Sequence, residues 1–235
     1  MKTITGMPRV VAMVIIVSCI LFAPLSAFAA SQHERILEYS VDLLQKMQET
    51  RDVETMAQTV KSGKAVAIFP KLIQAGLGIG GMHGEGIVLV KNSNAGWSGP
   101  SYVSLVGGSI GFQIGVQEVG LVLVVTNDDG LLVFTGGKSF KLGADVSIAA
   151  GPVGRDAGAA TDSRVEASIY SYSMSRGLFA GIALSGSTIN VNGDANQAYY
   201  GKATEAKTAL ASPAVSAKIT PLVTELEKLM TLAGN

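Results

Sequence analysis

Cysteine is almost absent from this chain of 235 residues: there is one, Cys19, inside an N-terminal apolar stretch. The remainder can form no disulfide and offers no thiol chemistry. Histidine is equally scarce. His33 and His83 stand fifty positions apart, which speaks against a transition-metal centre built on imidazole and thiolate. Charged residues make up only 15% of the chain and cancel to a formal net charge of zero, so the bulk attraction that nucleic-acid binding draws on is missing. Aromatic residues are few at 6%, and 28 glycines occupy positions where bulk would otherwise stand. That balance fits close-packed strands better than a Leu-rich helical bundle.

The hydrophobic fraction of 48% is enough to bury one sizeable core. Residues 1–29 read as an export signal. Lys2 and Arg9 supply positive charge, Val10 to Phe22 is apolar, and Ala27-Phe28-Ala29 is a small-x-small cleavage site. An uncleaved anchor is disfavoured because that run falls short of the roughly 20 apolar residues a membrane span needs. A lipoprotein site at Cys19 is the lesser alternative, since Ile20, Leu21 and Phe22 follow it where such sites turn polar. Either reading places the protein outside the cytoplasm, in the periplasm or envelope. Loss of Lys2 and Arg9 would leave 16 basic against 18 acidic residues, a net charge near −2.

From Ser31 to Gly63 apolar residues recur at helical spacing: Ile36, Leu37, Val41, Leu44 and Met47, then Val53, Met56, Ala57 and Val60. At Lys64 the pattern changes. Ala65 to Phe69 is a compact apolar run, Pro70 breaks it, and glycine follows at 76, 78, 80, 81, 84 and 86. Alternate glycines leave one strand face bare, so another backbone or an apolar ligand can approach closely. Gly76, Gly78 and Gly81 satisfy the dinucleotide pattern G-x-G-x-x-G, but the sequel GIVLVK reads as a strand where that site needs a helix.

Short apolar runs separated by turn signals predict strands at 65–69, 77–81, 85–91, 101–109, 111–117, 119–126, 130–135, 146–150, 167–174, 178–184 and 187–191. Asn127-Asp128-Asp129-Gly130 reads as the hairpin turn between 119–126 and 130–135. Gly136 to Asp145 reads as a short helix or loop and Gly151 to Asp162 as a loop around Arg155. The alternation of Asn190, Asn192, Asp194 and Asn196 reads as a turn and helix cap rather than a calcium loop, with helix to follow over Lys202 to Leu210. Beyond Pro213, the spacing of Val215, Ile219, Leu222, Val223, Leu226, Leu229 and Met230 predicts a final amphipathic helix. The fold class expected is therefore α+β, a glycine-rich antiparallel sheet or barrel-like sandwich flanked by N- and C-terminal helices. Its segments are 30–63 (helical), 64–211 (β-rich core) and 212–235 (helix).

Chemistry is harder to find. Gly107-Gly108-Ser109-Ile110-Gly111 matches the nucleophile elbow of α/β-hydrolases, yet strand follows the serine and both histidines precede it. His83 beside Glu85 reads as a solvent-facing polar residue. Glu85, Glu118, Asp145, Asp156, Asp162 and Glu166 could pair for acid–base work only if the fold brought them together. No cofactor or metal is implied.

Five ordered segments carry more weight: AVAIFPKLIQAGLGIGG with HGEG, GGSIGFQIGVQ, FKLGADVSIAAGPVGR, YSYSMSRGLFAGIALSGSTI and NQAYYG. Together, over about Ser31 to Leu210, they resemble the SYLF domain, also called the Ysc84 actin-binding domain, in a bacterial exported form. The resemblance implies a non-enzymatic lipid-binding module. Eukaryotic members bind phosphoinositide membranes and some bind and bundle actin, whereas this chain has an export signal and no SH3 or FYVE module. Actin binding is accordingly not expected, and a lipid or anionic membrane surface is the expected partner, with envelope proteins as an alternative. Headgroup contacts are assigned to Lys64, Lys71, Arg155 and Arg176. An apolar cleft is assigned to the glycine faces at Gly76, Gly78, Gly80 and Gly111 with Phe112 and Phe179.

Overall fold

Two strands of unusual length organise the molecule. The computed structural model describes residues 25–50, 53–92, 96–136, 139–151, 167–179 and 181–234. Helices α1 (Leu25–Gln48) and α2 (Val53–Ser62) lead into β1 (Ala65–Lys91) and β2 (Trp97–Val125). Then come α3 (Asp128–Thr135), β3 (Phe140–Lys141), β4 (Ile148–Ala150), β5 (Ile169–Ser175), β6 (Leu178–Phe179), β7 (Thr188–Val191), α4 (Gly193–Tyr200), α5 (Ala206–Ala211) and α6 (Thr220–Thr231). The fold is α+β, a curled sheet with helices at both ends of the chain, as expected.

β1 and β2 pair antiparallel along their whole length, from Ala65 opposite Val125 to Lys91 opposite Trp97. What reads as three short strands in each is one strand interrupted by bulges. Pro70 is tolerated because it sits at such a bulge, between Phe69 and Leu72, where no ladder donor is required. The ribbon then doubles back on itself about Gly78. Gly80 lies against Ala75 and Gly76, Gly84 against Lys71 and Leu72, and Gly86 against Ile68 and Phe69. A Cβ on Gly84 would stand 2.8 Å from the Lys71 carbonyl oxygen and 3.0 Å from the Leu72 Cα. The bare strand face is thus a packing device, filled by the strand's own first half. The Lys91 amide closes the loop by donating to the Lys64 carbonyl at 2.8 Å.

The first half of β2 pairs with β7 and its second half with β5, and β3 extends the sheet beyond β7. One pair departs from the antiparallel rule: β4 runs parallel to β5. Inside the curl lies a core of Phe69, Leu72, Leu105, Leu121, Leu123 and Ile189, closed by Val133 and Phe134 of α3 and Leu210 of α5. On the outer face α1, α2 and α6 bury Leu44, Met47, Met56, Val60, Leu222 and Leu226 against Val66, Ile68, Leu89, Val122 and Val124. Because both faces are covered, residues 65–69 and 121–125 are apolar at every position instead of alternating.

Several local expectations are corrected. Asn127 to Gly130 is no hairpin turn, and 130–135 is no strand. Asn127 caps α3, its side chain accepting from the Gly130 amide at 3.0 Å, with Asp128 and Asp129 favourably placed in the first turn. Residues 136–145 hold the short strand β3, and the 178–184 strand ends at Phe179 among the described residues. The helix expected at Lys202 starts at Ala206, preceded by α4. Asn192 does cap α4, accepting from the Ala195 amide at 3.0 Å.

Candidate functional site

The cations assigned from sequence do not form one cluster. Lys64 stands at the open end of the ribbon, bridged to Asp128 of α3 at 2.7 Å. Lys71 is at the Pro70 bulge, its Nζ 3.7 Å above the ring of Tyr39 on α1, a cation–π contact that orients it. Arg176 is in the turn between β5 and β6. Since Met174 pairs with Gly120 and Leu121 with Phe69, Lys71 and Arg176 belong to the same end of the sheet, two strands apart. At strand spacing that is about 10 Å between backbones. Arg155 lies outside the described residues.

That end of the sheet also carries exposed apolar side chains. Ile73 pairs with Glu118 and Ala75 with Val116, all of them solvent-exposed. The Gln117 side-chain amide donates to Ser175 Oγ at 3.1 Å, drawing the β5–β6 turn alongside. In that turn Arg176 (φ 52°) and Gly177 (φ 80°) both occupy the left-handed region, as a two-residue type I′ hairpin requires. Leu178 follows, 71% exposed, and Val116 is 75% exposed. Among the described residues this surface therefore offers apolar side chains, the cations Lys71 and Arg176 and the carboxylate of Glu118.

Gly76, Gly78, Gly80, Gly111 and Phe112 do come together, at the fold point of the ribbon, where Gly78 faces a β2 bulge that includes Gly111 and Phe112. The faces of Gly80, Gly84 and Gly86 are occupied by backbone and so open no cleft. Phe179 is elsewhere, packed beneath the outer core with its ring 6.4 Å from that of Tyr172. Ser109 lies within β2 with strand on both sides, which removes the nucleophile-elbow reading. His83 is solvent-exposed, as expected. Of the acids considered for catalysis, Asp145 accepts from the Lys141 amide at 2.8 Å, and Asp156, Asp162 and Glu166 lie outside the described residues. Among the described residues no group of three His, Cys, Asp or Glu side chains could hold a metal ion.

A second surface feature went unnoticed in the sequence. A groove of about 460 Å³ runs between α1 and the start of α6, lined by Glu34, Leu37, Glu38, Val41, Asp42, Lys218 and Pro221. Lys218 bridges to Glu34 at 2.6 Å, and that hydrogen bond holds the ammonium pKa above its ordinary value. The available signal was the i, i+4, i+8 spacing of the three acids. Behind the groove, Tyr102 is buried with His33 and Tyr199 rings at 5.4 and 5.7 Å. Burial, reinforced by Tyr199, Tyr200 and Glu34, pushes its hydroxyl pKa well up.

Fold and surface together define an α+β domain with a glycine-folded β-ribbon, no helix among the described residues long and apolar enough to cross a membrane, and surfaces suited to binding. The sequence profile of the Ysc84 family, described as "Las17-binding protein actin regulator", matches residues 106–229, and the chain belongs to that family. It is 33% identical over 150 residues to LAS seventeen-binding protein 3 of Saccharomyces cerevisiae, covering 63% of this chain and 32% of that protein. It is also 33% identical over 144 residues to SH3 domain-containing YSC84-like protein 1 of Bos taurus, covering 61% and 42% respectively. Protein YSC84 of Saccharomyces cerevisiae is 32% identical over 144 residues, covering 60% and 31%. The chain thus spans roughly a third to two fifths of the length of these relatives.

Proposed function

We propose that this chain is a non-enzymatic module that binds a lipid or anionic membrane surface through the end of the sheet bearing Lys71 and Arg176. One observation carries the reading: Val116 and Leu178, 75% and 71% exposed, stand at that end beside the Arg176 turn. Apolar side chains left in water beside cations match an interface that is apolar within and anionic at its rim. The resemblance to lipid-binding SYLF domains supports it, and residues 1–29, read as an export signal, put the surface in question at the cell envelope. Headgroup contact would fall to Lys71 and Arg176, with Lys64 reserved for its bridge to α3.

The test is flotation with vesicles of phosphatidylcholine alone and with added anionic lipid. Binding should require the anionic lipid and weaken as salt rises. Leu178→Asp and Val116→Asp should abolish it while leaving the far-ultraviolet spectrum unchanged. Equal flotation of these variants would remove the assignment. A second reading, a protein-binding scaffold, is favoured by the family description as an actin regulator. Co-pelleting with filamentous actin, unaffected by the two Asp variants, would select it.

A further inference from the structure

The groove between α1 and α6 has the wrong charge for an anionic surface, and its composition points elsewhere. Its floor is apolar, from Leu37, Val41 and Pro221, and three of its four charged side chains are acidic. Glu34, Glu38 and Asp42 form a single row one helical turn apart, covering about 12 Å along α1. Leu37 and Val41 form the neighbouring row at the same interval. Lys218 neutralises only Glu34 and closes that end of the groove. Glu38 and Asp42 are exposed, and no ion pair to either is present among the described residues. Solvated acids alone would say nothing, but here they flank an apolar trough whose two rows have the register of a helix.

We propose that this groove docks a cationic amphipathic helix of a partner protein. Apolar residues of the partner, at i and i+4, would lie on Leu37, Val41 and Pro221. Its Lys or Arg row would run beside Glu38 and Asp42. Helix-in-groove recognition divides the work in this way, with apolar anchors supplying affinity and the charge row fixing orientation and partner choice. The site uses different side chains from the end of the sheet that bears Lys71 and Arg176, although Tyr39 of α1 touches Lys71.

The experiment is fluorescence anisotropy of a labelled amphipathic Lys/Leu helical peptide titrated with the full chain, against a scrambled peptide of the same composition. Saturable binding is expected, weaker by about tenfold or more for the scrambled peptide and for the double charge reversal Glu38→Lys/Asp42→Lys. Both positions are exposed, so the variant should keep the melting temperature of the parent. Unchanged peptide affinity in the charge-reversed protein, or equal affinity for the scrambled peptide, would overturn the proposal. Two other occupants have their own signatures. If Lys2→Glu/Arg9→Glu turns a non-binding chain into a binding one, the groove belongs to the chain's own N-terminal segment. If sedimentation shows a dimer that Glu38→Lys/Asp42→Lys dissolves, it belongs to a second copy. Either result would displace the partner helix.

Discussion

At the residue scale, glycine at 86 is fixed by backbone contact. A methyl group there would meet the Ile68 carbonyl and the Phe69 ring, and neither is the free end of a flexible chain. Gly86→Ala should therefore cost about 3 kcal/mol or more in urea unfolding, the upper part of the overpacking range. Gly108→Ala, which would meet nothing within 4 Å, should shift stability by no more than about 0.5 kcal/mol. Glu225 offers a different test. Its buried carboxylate accepts from Lys228 at 2.8 Å and from the side-chain amides of Gln45 and Gln48 at 3.2 and 3.1 Å. The Lys228 hydrogen bond, helped by the two amides against the opposing effect of burial, holds its pKa below the ordinary value of 4.5. A depressed carboxylate pKa stabilises the folded state above the unfolded value, and that contribution is lost as pH falls through the folded one. The stability advantage of the native protein over Glu225→Gln should accordingly shrink from pH 5 downward. Glu225→Ala at neutral pH should cost only about 1 kcal/mol, since Gln45 and Lys228 reach water that can replace the lost acceptor.

At the scale of elements, the same tetrapeptide chemistry serves two ends. Asn127-Asp128-Asp129-Gly130 has the composition of a hairpin turn, yet a capping asparagine and two acids in a first turn are equally a helix start. The decision falls to Val133 and Phe134, which α3 carries into the interior of the curl at 2% and 1% exposure. Lys91 joins two other elements. Its ammonium donates to the Val60 and Lys61 carbonyls at 2.9 and 2.7 Å, satisfying the C-terminal end of α2 from the far end of β1. Lys91→Met should lower stability by about 1 kcal/mol, read as a fall in urea midpoint without a change in slope. The β5–β6 turn separates stability from function. Arg176 pays for a left-handed conformation that asparagine adopts more easily, so Arg176→Asn should stabilise by up to about 1 kcal/mol. The same change should lower partition onto anionic vesicles roughly fivefold, since one cation near such a surface is worth about 1 kcal/mol.

For the whole molecule, the decisive event is the folding of one long ribbon across itself. The curl encloses one core and presents its outer face to α1, α2, α4 and α6 for a second. Acidic and apolar-cationic surfaces then emerge from different layers, the groove from the helices and the end bearing Lys71 and Arg176 from the sheet. A molecule arranged in this way should lose one activity without the other: Leu178→Asp, expected to abolish flotation, should leave the peptide affinity measured without vesicles unchanged.

Local patterning along the chain accounts for the elements of this fold: helices where apolar residues recur every three or four positions, strands where they run together, and alternate glycines wherever a backbone must come close. Those are local rules, set by side-chain spacing and Cβ sterics, and they were legible at Ile36 to Met47, at Ala65 to Phe69 and at Gly80 to Gly86. The tertiary structure alone decided what the glycines face, because a bare strand accepts a ligand or its own first half equally well until the ribbon folds. It likewise decided that Lys71 and Arg176 share an end while Lys64 does not, since strand pairing joins residues a hundred positions apart. The groove came from the same source: an acidic row on α1 is ordinary helix surface until α6 is laid beside it.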